Sequence, residues 1–191
     1  MKFATIPLLA GLLFGASASG ANRPNILHIH ADDHRADGLH ALGTPLLQTP
    51  HLDTLVEHGM VFTHCYTQGS MIGAVCLPSR TMMLTGRSLF RMPGVREPAR
   101  QSLAQQIGAA GYTTFHCGKG GNEYTAGIRS FDVNVVIDDH GPELRKGSSE
   151  RHADRVLQFL GERDRSKPFY IYMAPPVPHD PRVSAPEFHR M

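Results

Sequence analysis

The segment Cys76-Leu77-Pro78-Ser79-Arg80-Thr81-Met82-Met83-Leu84-Thr85-Gly86-Arg87 concentrates residue types that can do chemistry. A cysteine just before a helix whose first turn carries Pro78 sits where unpaired backbone N–H groups favour negative charge, which suits thiolate or oxyanion chemistry. Arg80, one helical turn along, points back to the same end. Asp32-Asp33 is a pair of adjacent carboxylates, hard oxygen ligands suited to Ca²⁺ or Mg²⁺. Lys119 and His179 add a cation and a proton-transfer group. Taken singly, a lone cysteine is usually a buried thiol and an Asp-Asp pair a solvated turn. Their chemistry therefore depends on whether the fold brings them together.

The histidines offer a second reading. His28-Ile29-His30-Ala31-Asp32-Asp33-His34 nearly spells the HxHxDH metal cluster of metallo-β-lactamase-like hydrolases, but with one residue too many, which rotates His34 off its ligand position. His40, His51, His58, His64 and His140 read as ordinary polar residues, and the absence of a CxxC or CxxH pair argues against structural zinc.

These groups need elements to position them. Asn25 to Ala31 reads as a strand, apolar on one parity and histidine-bearing on the other, stopping at Asp32-Asp33. Thr49-Pro50 opens a helix with Leu52, Leu55 and Val56 at helical spacing and Gly59 as its stop. Met60 to Thr63 reads as a short strand, and Pro78 to Leu84 as a helix opened by its proline and closed by Gly86. A helix from Ser102 to Ala110, with Leu103 and Ile107 inward, precedes the strand Tyr112 to Phe115 and a glycine-rich loop from Gly118 to Gly127. Ser148 or Ser149 caps a helix with Ala153, Val156, Leu157 and Leu160 on one face, followed by the strand Phe169 to Met173 and a proline-rich loop through His179. Alternating strands and helices predict an α/β fold with a largely parallel central sheet and helices on both faces. In such sheets ligands bind beyond the carboxyl ends of the strands, which is where Asp32-Asp33, Lys119 and His179 fall.

The chain has 191 residues, 41% hydrophobic and 19% charged, in keeping with one globular domain. With 19 basic against 17 acidic residues it carries a formal charge of +2, which excludes a nucleic-acid-binding footprint. Residues 1–21 read as a signal peptide: Met1-Lys2, an apolar run from Ile6 to Phe14, then small residues to Ala21. That run falls short of the roughly 20 apolar residues a membrane span needs. A periplasmic or secreted protein, with no membrane association after signal removal, is the expectation. Cys65, Cys76 and Cys117 are an odd number for an exported chain. Cys65 could pair with Cys117, leaving Cys76 free, or with Cys76; two buried thiols are the plainer reading.

The pattern C-x-P-S-R followed by T-x-x-x-T-G-R, carried by Cys76 to Arg87, resembles the signature of the type I sulfatases. Arg23-Pro24-Asn25-Ile26-Leu27 running into Ala31-Asp32-Asp33 is similar to a second element of that family, as are Thr49 to Asp53 with Gly59 to Thr63, Gly111 to Phe115 leading to Gly118-Lys119, and Pro178-His179-Asp180-Pro181. The resemblance runs in family order over nearly all of residues 22–191.

It implies an alkaline-phosphatase-like α/β domain that hydrolyses sulfate esters with a divalent cation, usually calcium. Cys76 would be oxidised to Cα-formylglycine by a formylglycine-generating enzyme. One hydroxyl of the aldehyde hydrate would attack sulfur in line, the alcohol would leave, and the other hydroxyl would collapse to expel sulfate. Asp32, Asp33 and the residue at Cys76 would bind the metal, Arg80 would hold the formylglycine hydroxyl, Lys119 would neutralise sulfate oxygens and His179 would serve the leaving oxygen. Sulfated carbohydrate is the expected substrate class. The same motifs occur in formylglycine phosphonate or phosphate ester hydrolases, and a truncated, inactive sulfatase-like protein is a third reading.

Two departures stand out. Where the family has a histidine two residues after the lysine, this chain has Gly121, with His116 or Asn122 as the nearest substitutes. The later metal pair and second lysine of the family have no counterpart, so residues 22–191 are expected to be an N-terminal portion of the catalytic domain, truncated on the C-terminal side with an unpaired sheet edge.

Overall fold

A computed structural model describes residues 23–66, 75–91, 101–120, 124–137 and 148–179. The expected signal peptide, His140, Gly121, Asn122 and Asp180 lie outside the described residues. Four strands form one parallel sheet: β1 (Ile26–Ile29), β2 (Thr113–Gly118), β3 (Val133–Val136) and β4 (Phe169–Ala174), in the order β1-β4-β2-β3. The helices are α1 (Pro50–His58), α2 (Cys76–Thr85), α3 (Leu103–Ala109), the short α4 (Thr125–Ile128) and α5 (Ser148–Glu162). This is the α/β architecture that the alternation of elements predicts.

Local signals set several of the boundaries. Pro50 lies in the first turn of α1 and Gly59 caps its end, although the Thr49 hydroxyl donates to Asp53 Oδ1 and accepts from His40 N, capping no N–H of the helix itself. Ser102 and Gln105 form a reciprocal capping box at the start of α3. Gly86 ends α2 in the left-handed region, φ 65°, its N–H donating to Met82 O.

The sheet is covered on both faces, because side chains alternate along each strand. On one face Tyr170, Tyr172 and Ala174 pack with Leu84 of α2, Ala104 of α3, and Tyr124, Ile128 and Phe131 in and around α4. On the other, Phe115, Cys117 and Ile171 pack with Val156 and Phe159 of α5.

Several expectations need correction. Met60 to Thr63 is not a strand: it pairs with no strand among the described residues, and Met60 and Phe62 are exposed. The second strand starts at Thr113, one residue later than expected, and runs on to Gly118, the first residue of the expected loop, while α4 and β3 were not anticipated. The inward stripe of α5 is His152, Val156, Phe159 and Leu160, whereas Leu157 is 64% exposed. Neither cysteine pairing forms, since no disulfide joins Cys65, Cys76 or Cys117: Cys65 is exposed, and Cys117 is buried under α5.

Candidate active site

The strand order places the carboxyl ends of β1, β4 and β2 side by side. Hydrogen bonds lock their exits together: His30 N donates to Met173 O, Asp32 N to Val177 O, and Lys119 N to Ala174 O. Asp32 also forms a parallel bridge with Pro178, so the loop carrying His179 runs beside it. The first residue of α2, Cys76, comes to this same corner.

Asp32 is the meeting point. Its side chain is 5% exposed, and Oδ1 accepts from Cys76 Sγ at 3.2 Å. Oδ2 accepts from Lys119 Nζ and lies 3.6 Å from Arg80 Nη2. Burial by itself pushes the Asp32 carboxyl upward, but the bond from Lys119, the Arg80 charge and the Cys76 bond outweigh it, holding the group below the usual carboxylate range. Two cations against one carboxylate leave the corner with a net charge of about +1, complementary to a singly charged anionic ester.

Cys76 is buried at the start of α2, and its thiol is pushed up, first by burial and then by its bond to Asp32, against the pull of Lys119 and Arg80. The thiolate expected from the helix terminus is therefore disfavoured, because burial and then the Asp32 carboxylate beside sulfur both favour the protonated thiol. Arg80 points back to the same end of α2, as its spacing predicts, and is 1% exposed.

Four of the expected residues, Asp32, Cys76, Arg80 and Lys119, thus meet, and the His179 backbone runs alongside. Asp33 does not join them: it is exposed, with φ 63°, a left-handed conformation that carries it away from its neighbour's direction. Among the described residues no group of three or more His, Cys, Asp or Glu side chains is placed to hold a metal ion. Asp32, Asp33 and Cys76 therefore form no such set, and neither do His28, His30, Asp32 and the exposed His34. A calcium ion takes six to eight oxygens. One carboxylate already engaged by two cations and one exposed neighbour do not satisfy it.

Residues not singled out as functional lie directly beneath. Arg80 Nη1 donates to Tyr172 Oη at 3.3 Å, and Tyr172 Oη lies 3.2 Å from His30 Nδ1. His28 stacks on His30 and bonds weakly to Tyr170. Burial, followed by the charge of Arg80, lowers His30 to about 4. His116 is fully buried against Tyr172, with Nδ1 2.7 Å from Asn134 Oδ1 and Nε2 unpartnered, and burial holds it at about 4. The signal in the sequence is a set of polar rings at alternate positions of two strands that are otherwise apolar.

A family model of sulfatases matches residues 24–191. The chain belongs to the sulfatase family. It is 40% identical over 126 residues to arylsulfatase A of Bos taurus, an alignment covering 60% of this chain and 23% of the relative. It is 27% identical over 186 residues to an N-acetylglucosamine-6-O-sulfatase of Bacteroides thetaiotaomicron, covering 86% of this chain and 32% of that protein. This sulfatase chain therefore spans about a quarter to a third of the length of those relatives. Its fold is similar to a phosphonate monoester hydrolase of Agrobacterium radiobacter, with TM-score 0.70, 18% identity, and coverage of 88% of this chain and 44% of that one. It is also similar to a protein solved with its substrate D-glucosamine-2-N,6-O-disulfate, with TM-score 0.67, 24% identity, and coverage of 86% and 36%. These two likenesses bear out the expected α/β fold with its parallel central sheet.

Proposed function

We propose that residues 22–191 are the N-terminal portion of the catalytic domain of an exported sulfatase that hydrolyses carbohydrate sulfate esters and uses formylglycine made from Cys76. The observation that carries this reading is the convergence of Cys76, Arg80 and Lys119 on Asp32 at the carboxyl end of the sheet. Membership of the sulfatase family supports the reaction class. The names of the relatives, N-acetylglucosamine-6-O-sulfatase and N-acetylgalactosamine-6-O-sulfatase, support the substrate class. No described helix is long and apolar enough to cross a membrane. Residues 1–21 would direct the chain to the periplasm or outside the cell.

In this reading Lys119 and Arg80 divide their charge between Asp32 and the ester's sulfate oxygens, so the anion is met by donors already fixed in place. Arg80 aims at position 76 because both lie on one turn of α2. His179, on the loop bridged to Asp32, protonates the departing alcohol oxygen. A formylglycine at position 76 supplies, as its hydrate, a nucleophilic hydroxyl that a thiol cannot replace, and the raised Cys76 thiol is consistent with that need. Asp32 and Asp33 would be this chain's share of a calcium or magnesium site, too few on their own to hold the ion, and no step is assigned to it.

The test is peptide mass spectrometry on the full chain co-expressed with a formylglycine-generating enzyme. The expected result is that the peptide containing Cys76 loses sulfur and gains oxygen. An unmodified Cys76 overturns the formylglycine reading and leaves a sulfatase-like protein without turnover.

A further inference from the structure

We infer that Tyr172 and His30 are positioning residues that hold the Arg80 guanidinium at the angle from which it serves position 76. The inference rests on the reading of Arg80 given above. Three observations carry it. Tyr172 is fully buried in the middle of β4, where an apolar residue would pack without a polar group to satisfy. Its Oη accepts from Arg80 Nη1 at 3.3 Å, and the same oxygen lies 3.2 Å from His30 Nδ1. The third is the strand register: His28 lies opposite Tyr172 across β1 and β4, which puts His30 diagonally ahead of it and toward the site.

The chemistry makes this more than packing. Arg80 is buried and always charged, with five donors in a rigid plane. Asp32, at 3.6 Å from Nη2, restrains one arm of that plane. The Tyr172 oxygen restrains Nη1, so the two anchors grip the guanidinium on different nitrogens and set its rotation. A phenol accepting from a cation has its own O–H polarised, which strengthens its bond to the imidazole. The ring of His30 is in turn held at 5.9 Å by that of His28 and at 6.0 Å by that of Tyr172.

The test uses the full chain with Tyr172→Phe, which keeps the ring and removes only the oxygen, and with His30→Leu and His30→Gln. In the chain carrying formylglycine, the expected result for Tyr172→Phe and His30→Leu is kcat on an aryl sulfate about tenfold to a hundredfold lower with KM unchanged, as expected when a catalytic group is misaimed. His30→Gln, which keeps a hydrogen-bonding atom, recovers most of the rate. A second readout needs no turnover: NMR of the Arg80 guanidinium in the unmodified chain. Separate Nη signals, from hindered rotation, are expected for the natural chain and for His30→Gln. Averaged signals are expected for Tyr172→Phe and His30→Leu. Natural kcat and separate Nη signals in Tyr172→Phe overturn the inference. The same pair of results in His30→Leu alone removes His30 from it. If Cys76 stays unmodified the proposed function fails, and in that case, as in a formylglycine-bearing chain without turnover, the NMR comparison alone decides whether Tyr172 holds Arg80.

Discussion

Asp32 and Asp33 are adjacent and chemically identical, yet the structure gives them opposite situations, and two substitutions separate them. Asp32 is the counter-charge for Arg80 and Lys119, whose side chains are 1% and 12% exposed. Removing one partner of a buried ion pair strands the other, so Asp32→Asn is expected to cost about 3–5 kcal/mol. Asp33→Asn, at an exposed left-handed position that asparagine tolerates, should stay within about 0.5 kcal/mol. Urea midpoints of the two variants measure the difference, and equal midpoints would refute this account of Asp32. The buried histidines add a pH dependence. His116, near 4 in the fold against 6.5 when unfolded, binds fewer protons in the native state. Stability therefore falls as pH drops from 6.5 toward 4, by on the order of 3 kcal/mol for this residue, and His30 acts in the same direction. Asp32, depressed in the fold, keeps its contribution above the ordinary carboxylate range and loses it only at lower pH. A urea midpoint that falls between about pH 7 and about pH 5, and falls less in His116→Gln, is the expected result. At this scale the sequence made Cys76, Arg80, Lys119 and Asp32 legible because their types are rare together at strand and helix ends. It hid Tyr172 and His30, because a ring in a strand reads as core until the element facing it is known. It also hid the separation of Asp33, which a single backbone angle decides.

Among the elements, α2 and the exit of β2 carry the geometry of the site. Cys76 and Arg80 stay on one face because α2 continues unbroken from its first residue to Gly86. Pro78 sits in the first turn, where its missing N–H costs nothing. At the end of β2, a Cβ on Gly118 would lie 3.0 Å from Ala174 Cβ and O and 2.8 Å from His116 Nε2. The backbone contacts leave no easy escape, so Gly118→Ala should destabilise by about 1–3 kcal/mol. Because Lys119 is the next residue, the same variant should weaken binding of inorganic sulfate. Thermal melts and sulfate titration check the two effects, and an unchanged melting temperature would show that the strands can part. Helix ends were readable where a single residue enforces them: Pro50 and Gly59 for α1, Gly86 for α2, Ser102 for α3. The four-residue elements α4 and β3 were not, since so short a run carries no period. Met60 to Thr63 was misread for the converse reason, an apolar run that finds no partner strand among the described residues. On α5 the stripe was misplaced because His152, a polar type, takes a fully buried position while Leu157 turns outward.

The strand order β1-β4-β2-β3 explains why residues more than a hundred positions apart in sequence meet. Inserting the last described strand between the first and second brings three carboxyl ends together, and the crevice above them is where parallel sheets bind ligands. Alternation of elements predicted the class of fold, but not this order, which depends on long-range pairing. The same order leaves β1 and β3 as the two edges among the described residues. α5 packs on β2 and β4 but not over β1, so on that face Leu27 and Ile29 are 53% and 52% exposed. The histidine-bearing parity of β1 turns inward to α2, and the apolar parity turns out, the reverse of what a half-buried strand usually does. An apolar pair on an edge strand is a template for association. The chain is therefore expected to self-associate through β1, and Leu27→Thr with Ile29→Thr, which place β-branched side chains suited to a strand, should shift it toward monomer. Light scattering over a concentration series distinguishes the outcomes. A natural chain that stays monomeric at high concentration would mean that this face is covered, and a double variant that still associates would move the contact to the β3 edge, where Val133 and Val136 are 40% and 46% exposed.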